Sequence, residues 1–358
     1  MTRTVSVGNI LIGGGNPVTV QSMTNTATEN VSSTLEQINL LSDTGCEIVR
    51  LAVPSRKSIP ALKEIISKSP VPLIADIHFD YRLALGAIES GIEGIRINPG
   101  NIGGEGKVRQ VAEKAGEAEI PIRVGANAGS LPEDLKQLYY KESATVEDKA
   151  DALIQAVLRQ CSLLENFHFH NIKISLKSSS VPVTVKAYRK FSKISDYPLH
   201  LGITEAGSPG KGIIKSSIGI GALLLDGIGD TIRVSLTANP KEEVITAINI
   251  LEAVGLRRAY PEVISCPTCG RTEFDLITLC STVEKLVADA KAEQGNLKIK
   301  KIAVMGCVVN GPGEASDADI GLAGAKNGQL SLFIQGKSIG IFEYEKAIEL
   351  FKKELTQV

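Results

Sequence analysis

The sequence predicts an α/β chain: a (β/α)8 TIM barrel followed by a small α+β domain. Three observations predict it. Eight short apolar runs alternate with eight helical patterns, over about 250 residues, the size of a closed barrel of parallel βα units. The ends of those runs carry polar and charged residues, where such a barrel keeps its chemistry. After residue 255 the alternation stops and two cysteine segments appear.

Residues 1–16 hold Val5-x-Val7-Gly8 and Ile10-x-Ile12-Gly13-Gly14-Gly15, which suggest a hairpin ahead of the first core strand. Strands are expected at Val18–Ser22, Glu47–Ala52, Pro72–Ile77, Gly94–Asn98, Ile120–Gly125, Asn171–Leu176, Leu199–Thr204 and Thr231–Leu236. Helices are expected at Ser32–Asp43, Lys57–Ser67, Tyr81–Ser90, Lys107–Ala118, Glu147–Glu165, Val183–Lys193, Gly212–Leu225 and Lys241–Val254. An open doubly wound sheet is the runner-up, and the count of eight favours closure. Ala253–Pro261 reads as a linker, giving a barrel over 1–255 and a second domain over 256–358. There the pattern predicts a long helix over Glu273–Lys291 and a strand over Ile299–Met305. Short strands over Ile320–Ala323, Leu330–Gln335 and Ser338–Phe342 follow, then a closing helix over Tyr344–Leu355.

Composition narrows the function. Hydrophobic residues make up 43% of the 358, yet aromatics only 4%, so the core is built from Val, Ile, Leu and Ala. A net charge of −1 offers no global field for nucleic acid or an anionic membrane. The longest apolar run, around Ile218–Leu225, is too short to span a bilayer, and the N-terminus lacks signal architecture. A cytoplasmic location is therefore expected, and six cysteines there read as metal ligands or free thiols.

The strand ends supply Arg50, Asp76-Ile77-His78, Arg96, Arg123 with Asn127, Lys173 with Ser175 and Lys177, Thr204-Glu205, and Arg233 with Ser235. Cations inside apolar strands are costly unless they meet a partner. Arg50, Arg96, Arg123 and Lys177 together suggest one anionic ligand, and phosphate fits best. Glycine-rich loops at Gly100–Gly104 and Gly207–Gly212 could bring backbone N–H groups to phosphate oxygens. His78 either acts on a substrate or stands hydrogen-bonded beside Asp76. His168 and His170 read as turn residues.

The cysteine segments are Ser265-Cys266-Pro267-Thr268-Cys269-Gly270-Arg271 and Met305-Gly306-Cys307-Val308-Val309-Asn310-Gly311-Pro312-Gly313-Glu314. Three thiols and a carboxylate suit an iron–sulfur cluster or a zinc ion. Cys46 and Cys161 lie in apolar patterns and read as core thiols; Cys280, on the helical apolar stripe of Leu276, Leu279, Val283 and Leu286, reads as a core thiol too but is the competitor for a fourth ligand. On these residues alone, a redox enzyme competes with a non-redox barrel that binds a phosphorylated or pterin-like ligand beside a zinc-stapled small domain.

These segments are similar to those of the bacterial 4-hydroxy-3-methylbut-2-enyl diphosphate synthases of the non-mevalonate isoprenoid pathway. The resemblance also runs through Val20-Gln21-Ser22-Met23-Thr24-Asn25-Thr26, Val49-Arg50-Leu51-Ala52-Val53-Pro54, Ala75-Asp76-Ile77-His78-Phe79, 94–103, Arg123-Val124-Gly125-Ala126-Asn127 and Gly202-Ile203-Thr204-Glu205-Ala206-Gly207. It resembles the compact two-domain form. The resemblance implies a 4Fe-4S cluster held by Cys266, Cys269, Cys307 and Glu314. It implies a barrel that binds 2-C-methyl-D-erythritol 2,4-cyclodiphosphate through Arg50, Arg96, Arg123, Asn127, Lys177, Thr204, Arg233 and Ser235, with His78 nearby and Glu205 in the acid–base position. The implied reaction takes two electrons from ferredoxin or flavodoxin. The implied assembly is a homodimer, the cluster domain of one subunit over the barrel of the other. The loop Gly207–Lys211 departs from the family pattern.

Overall fold

A computed structural model describes residues 1–258, 261–272, 274–295, 297–307 and 317–357. The chain forms two compact units, Met1–Arg257 and Arg258–Val358.

The first unit opens with an antiparallel hairpin, β1 (Val5–Val7) and β2 (Ile10–Ile12). Its Val5, Val7 and Ile12 pack with Ile48 and Ile74, so the hairpin seals apolar residues of two barrel strands. Eight strands follow: β3 (Thr19–Met23), β4 (Ile48–Ala52), β5 (Leu73–Asp76), β6 (Ile95–Ile97), β7 (Ile122–Asn127), β8 (Ile172–Lys177), β9 (His200–Leu201) and β10 (Thr231–Ile232). All pair in parallel, in the order β8-β7-β6-β5-β4-β3-β10-β9. A parallel bridge from Ile174 to Leu199 joins β8 to the start of β9 and closes the ring.

The helices are α1 (Val31–Asp43), α2 (Ser58–Lys68), α3 (Tyr81–Glu89), α4 (Glu105–Glu117), α5 (Glu133–Tyr140), α6 (Val146–Glu165), α7 (Val181–Phe191), α8 (Pro209–Leu225) and α9 (Pro240–Ala253). Local chemistry sets their starts. Asn30, Asp80 and Asn239 cap α1, α3 and α9 with side-chain oxygens, and Thr145 with Asp148 forms a capping box on α6. The expected helices match within a few residues. Helix α5 was not expected: it is an extra helix of eight residues between β7 and α6, held by buried Leu135 and Tyr139.

In the second unit β11 (Glu262–Ser265), β12 (Lys301–Met305), β13 (Ile320–Gly324), β14 (Leu330–Ile334) and β15 (Lys337–Phe342) form one sheet in chain order. The first three strands are parallel and the last three antiparallel. Helices α10 (Leu276–Gln294) and α11 (Tyr344–Gln357) cover one face, with Leu279, Val283 and Phe351 packed on Ile302, Val304 and Leu322. Strand β11 was not expected. It is short, half-exposed and sits at the sheet edge, so its apolar signal is weak.

Candidate functional site

Alternation along each parallel strand sends every second side chain to the barrel interior. Cross-strand register runs Asp76 to Arg96, Arg96 to Arg123, Arg123 to Lys173 and Asn127 to Lys177. Asp76 is a hub. Its Oδ1 accepts from Arg96 Nη1 at 3.1 Å, its Oδ2 lies 3.7 Å from Arg50 Nε, and His78 Nε2 stands 3.6 Å from the same oxygen. Burial alone would raise the Asp76 carboxyl. The Arg50 charge, the His78 contact and the Arg96 charge outweigh that and hold it well below the usual carboxylate range.

Glu243, on the first turn of α9, is a second hub. Its Oε1 accepts the Leu236 N–H at 2.9 Å; its Oε2 accepts from Arg233 Nη2 at 3.4 Å and from the Ser22 hydroxyl at 3.3 Å. Met23 Sδ lies 2.9 Å from Arg50 Nη2 and 3.7 Å from Arg233 Nη1, a soft spacer between the two groups.

Three interior cations thus meet two hub carboxylates, Arg50 and Arg96 at Asp76 and Arg233 at Glu243, while Arg123, Lys173 and Lys177 are buried without an ion pair among the described residues. Arg123 Nε and Nη1, Arg96 Nε and Arg233 Nε are buried without hydrogen-bond partners among the described residues. Buried donors of that kind cost several kcal/mol unless a ligand or water meets them. Burial lowers the Arg50 guanidinium to about 10, and the Asp76 charge opposes it. Burial, then the neighbouring Arg50 and Arg96 charges, press Arg123 well below its ordinary value; burial and Arg123 do the same to Lys177. The interior is therefore a cradle short of negative charge, which a multiply charged anion such as a diphosphate would supply. Gly202 serves this cradle: a Cβ there would stand 2.6 Å from both Lys177 Nζ and the Arg233 carbonyl oxygen.

The remaining expected residues lie at the same strand ends. Asn127 ends β7. Thr204 and Ser235 follow β9 and β10 and are half-buried. Glu205 is exposed, in the left-handed region at φ +52°, and its carboxylate has no ion pair among the described residues. Arg233 is paired with Glu243 and not with Glu205. The loop Gly207–Lys211 runs directly into the N-terminus of α8. Sequence reasoning left Glu243, Met23 and His200 off the site. Glu243 sits beside the exposed Glu242 in what reads as a solvated helix face, and only its burial sets it apart. Cys46 and Cys161 are buried, and burial pushes both thiols up to about 12, consistent with core packing.

In the second unit, Cys266 directly follows β11 and Cys307 lies two residues past β12. These strands are parallel neighbours with Ser265 opposite Val304, so register alone delivers both thiols to one sheet end. The Gly306 N–H donates to Cys266 Sγ at 3.2 Å. Cys269 is exposed, and its thiol is drawn below its ordinary value, first by the backbone N–H of Arg271. Cys280 is half-buried against the α10 core, as a packing thiol would be. No group of three His, Cys, Asp or Glu side chains converges tightly enough to hold a metal among the described residues. Glu314 lies outside those residues. The donor set nevertheless fits a cluster: three unpaired thiols, two of them placed by the sheet and one receiving a backbone N–H on sulfur.

The profile of the GcpE TIM-barrel domain matches residues 2–248, and that of the GcpE protein C-terminal domain matches residues 262–357. The 4-hydroxy-3-methylbut-2-en-1-yl diphosphate synthase (flavodoxin) of Lawsonia intracellularis is 52% identical over 358 residues, 100% of this chain and 96% of the relative. The enzyme of the same name from Caldanaerobacter subterraneus is 51% identical over 358 residues, 100% and 97% of the two chains. Among solved structures, the dihydropteroate synthase of Yersinia pestis superposes with a TM-score of 0.51 at 12% identity, covering 71% of this chain and 99% of that one. That likeness speaks for the barrel fold alone. Half of all positions are shared with relatives along the whole length, and both characteristic domains are matched in order; the chain belongs to the GcpE family.

Proposed function

We infer that the chain catalyses the reaction for which its relatives are named: reductive dehydroxylation and ring opening of 2-C-methyl-D-erythritol 2,4-cyclodiphosphate to 4-hydroxy-3-methylbut-2-enyl diphosphate, in isoprenoid biosynthesis. It is an oxidoreductase, and the relatives' names favour flavodoxin over ferredoxin as the donor of two electrons. The observation that carries the reading is the cradle of six cations against two carboxylates in a chain half-identical to those enzymes. The barrel is the substrate domain; the second unit is the cluster domain, in which Cys266, Cys269, Cys307 and Glu314 would hold a 4Fe-4S cluster. When bound, such a cluster supplies electrons one at a time.

The chain's own residues bind and orient. Arg50, Arg96, Arg123, Lys177 and Arg233 neutralise the cyclic diphosphate. Asn127, Thr204 and Ser235 add neutral hydrogen bonds from the same strand ends, and His78 stands beside Arg96 at 3.2 Å. Asp76 and Glu243 fix the arginine heads, so little order is lost on binding. The C–O bond to the ring phosphate opens, the adjacent hydroxyl leaves as water, and Glu205 donates its proton. Glu205→Gln should lower kcat about 100-fold with KM nearly unchanged; wild-type turnover in anaerobic assay would remove the role.

The reading as a whole is tested by anaerobic assay with the cyclodiphosphate and reduced flavodoxin, following product and visible spectrum together. A colourless protein holding one zinc and no acid-labile sulfide would return the zinc-stapled barrel. The enzyme is assigned to the cytoplasm, supported by the lack of any described helix long and apolar enough to cross a membrane. It is assigned as a homodimer, supported by exposed Ile214, Ile218 and Leu225 on α8. Light scattering that returns the mass of one chain would remove the dimer.

A further inference from the structure

The interior of a (β/α)8 barrel is ordinarily filled by layers of branched apolar side chains, each layer drawn from alternate strands. Here the middle of the barrel is polar. The strand pairings step round the ring with the stagger of such a barrel. That stagger sets Gln21 on β3, Ile74 on β5, Arg123 on β7 and His200 on β9 at one height. Lys173 on β8 and Thr231 on β10 stand in the layer beneath. Their strand neighbours Val20, Ile122, Ile174, Leu201 and Ile232 pack in the main core outside the sheet, so these side chains face the barrel axis.

Gln21 and Lys173 are each 1% exposed, Arg123 4% and His200 0%. Gln21 Oε1 and Nε2, Arg123 Nε and Nη1, Lys173 Nζ and His200 Nε2 all lack a hydrogen-bond partner among the described residues. The other ring nitrogen of His200 is satisfied, with Nδ1 2.8 Å from the Thr231 hydroxyl. Below, Ile48 and Ile74 pack against the hairpin and seal the barrel floor. Above, the next layer toward the strand ends brings Arg50, Arg96 and Arg233. No carboxylate pairs with Arg123 or Lys173 among the described residues, since Asp76 takes Arg50 and Arg96 and Glu243 takes Arg233. Asp230, just before β10, is committed too: it accepts the Thr2 hydroxyl at 2.7 Å and the Leu199 N–H at 2.7 Å.

Unmet polar atoms this deep are costly singly, and here they come together in two adjacent layers. The set is rich in hydrogens and poor in acceptors: Arg123, Lys173 and the Gln21 amide all donate, and Gln21 Oε1 is the one atom that can only accept. A guanidinium cannot shed its charge. Water would satisfy these hydrogens but would leave the charge of Arg123 and Lys173 unbalanced. A monatomic anion does both, because it accepts from several donors at once and demands no fixed direction from any of them.

We propose that the middle of the barrel holds one buried halide ion, chloride above all, bound by Lys173, Arg123 and the Gln21 amide beneath the arginines of the cradle. The site is separate from the strand ends. It needs no diphosphate, and it stands whether or not the substrate reading does. The ion is enclosed as the strands close round it, so it leaves slowly once the barrel has folded. It balances the two deepest cations in the resting protein and leaves Arg50, Arg96 and Arg233 to the ligand above.

The test uses holoenzyme purified in chloride, then desalted anaerobically and crystallised from a halide-free gluconate solution. Diffraction at a wavelength where chlorine scatters anomalously should show a peak between Lys173 Nζ and Arg123 that no sulfur or iron explains. Unfolding of the same desalted protein should release about one chloride per chain, read by ion chromatography. Lys173→Met should lose both the peak and the released ion, and Lys173→Gln takes its place if that variant fails to fold. Wild-type density that fits water, without anomalous signal, would overturn the proposal whatever the variants do. Release of less than about a tenth of a chloride per chain, or a peak that survives in the variant, would do the same. A peak confined to Arg50 and Arg96 would be an adventitious ion only, seated where the diphosphate belongs, and would also overturn it.

Discussion

Asp76→Asn should lower kcat/KM by about 100- to 1,000-fold, because two arginines and a histidine take their positions from this one carboxylate. Asn keeps the shape but removes the charge. Arg50 and Arg96 then repel each other with nothing between them, in an interior already short of negative charge. Removing one partner of a buried ion pair costs about 3–5 kcal/mol, so the apo variant should also melt well below wild type. Added pyrophosphate should recover part of that loss, since it supplies the missing charge from the ligand side. The acid limb gives an independent check. The Asp76 carboxyl is held below its unfolded value, so its stabilisation is present above about pH 4 and lost as pH falls further. In the variant, the fall in unfolding free energy between about pH 4 and pH 2 should be shallower. Steady-state kinetics and urea melts across pH measure both arms. A variant with normal kcat/KM would show that the arginines hold their places without it.

Cys266→Ser and Cys307→Ser should each abolish turnover, to below about one part in 1,000, while leaving the fold in place. The distinction follows from the sheet. Both cysteines lie just beyond strand ends, and β11 and β12 hold their register through backbone bonds, independent of either sulfur. Leu279, Val283 and Phe351 close the core on the helical face without a metal. Circular dichroism should therefore change little, while the visible band, the iron and the acid-labile sulfide are lost together. Collapse of the second unit in either variant would mean that its fold depends on the metal, as small zinc modules do.

Much of this was legible in the residues. The βα alternation is set by local periodicity, so eight strands and their helices appear in the right order. The cations stand out because Arg and Lys rarely sit inside apolar strands. What did not show was whatever depends on distant partners. Glu243 looks like any first-turn glutamate until α9 packs against β3 and the carboxylate meets Arg233. Asp76 was visible as a strand-end residue, but not as the common counter-ion of β4 and β6. Strand β11 escaped because an edge strand of four half-exposed residues beside two prolines has little periodicity. Helix α5 escaped because it answers to no strand and breaks the repeat. Glu314, the fourth ligand that the resemblance implies, falls outside the described residues.

The backbone at Glu205 has a practical consequence for anyone seeking a hardier enzyme. A side chain in the left-handed region costs about 1–2 kcal/mol relative to glycine, and this position carries that burden at φ +52° on the surface, without an ion pair among the described residues. A screen for heat resistance would therefore favour Gly or Asn at position 205, and each winner would lack the carboxyl proposed to protonate the leaving hydroxyl. Thermal selection and selection for isoprenoid supply should thus pull this codon in opposite directions, so a stabilised library needs its hits re-sorted by turnover.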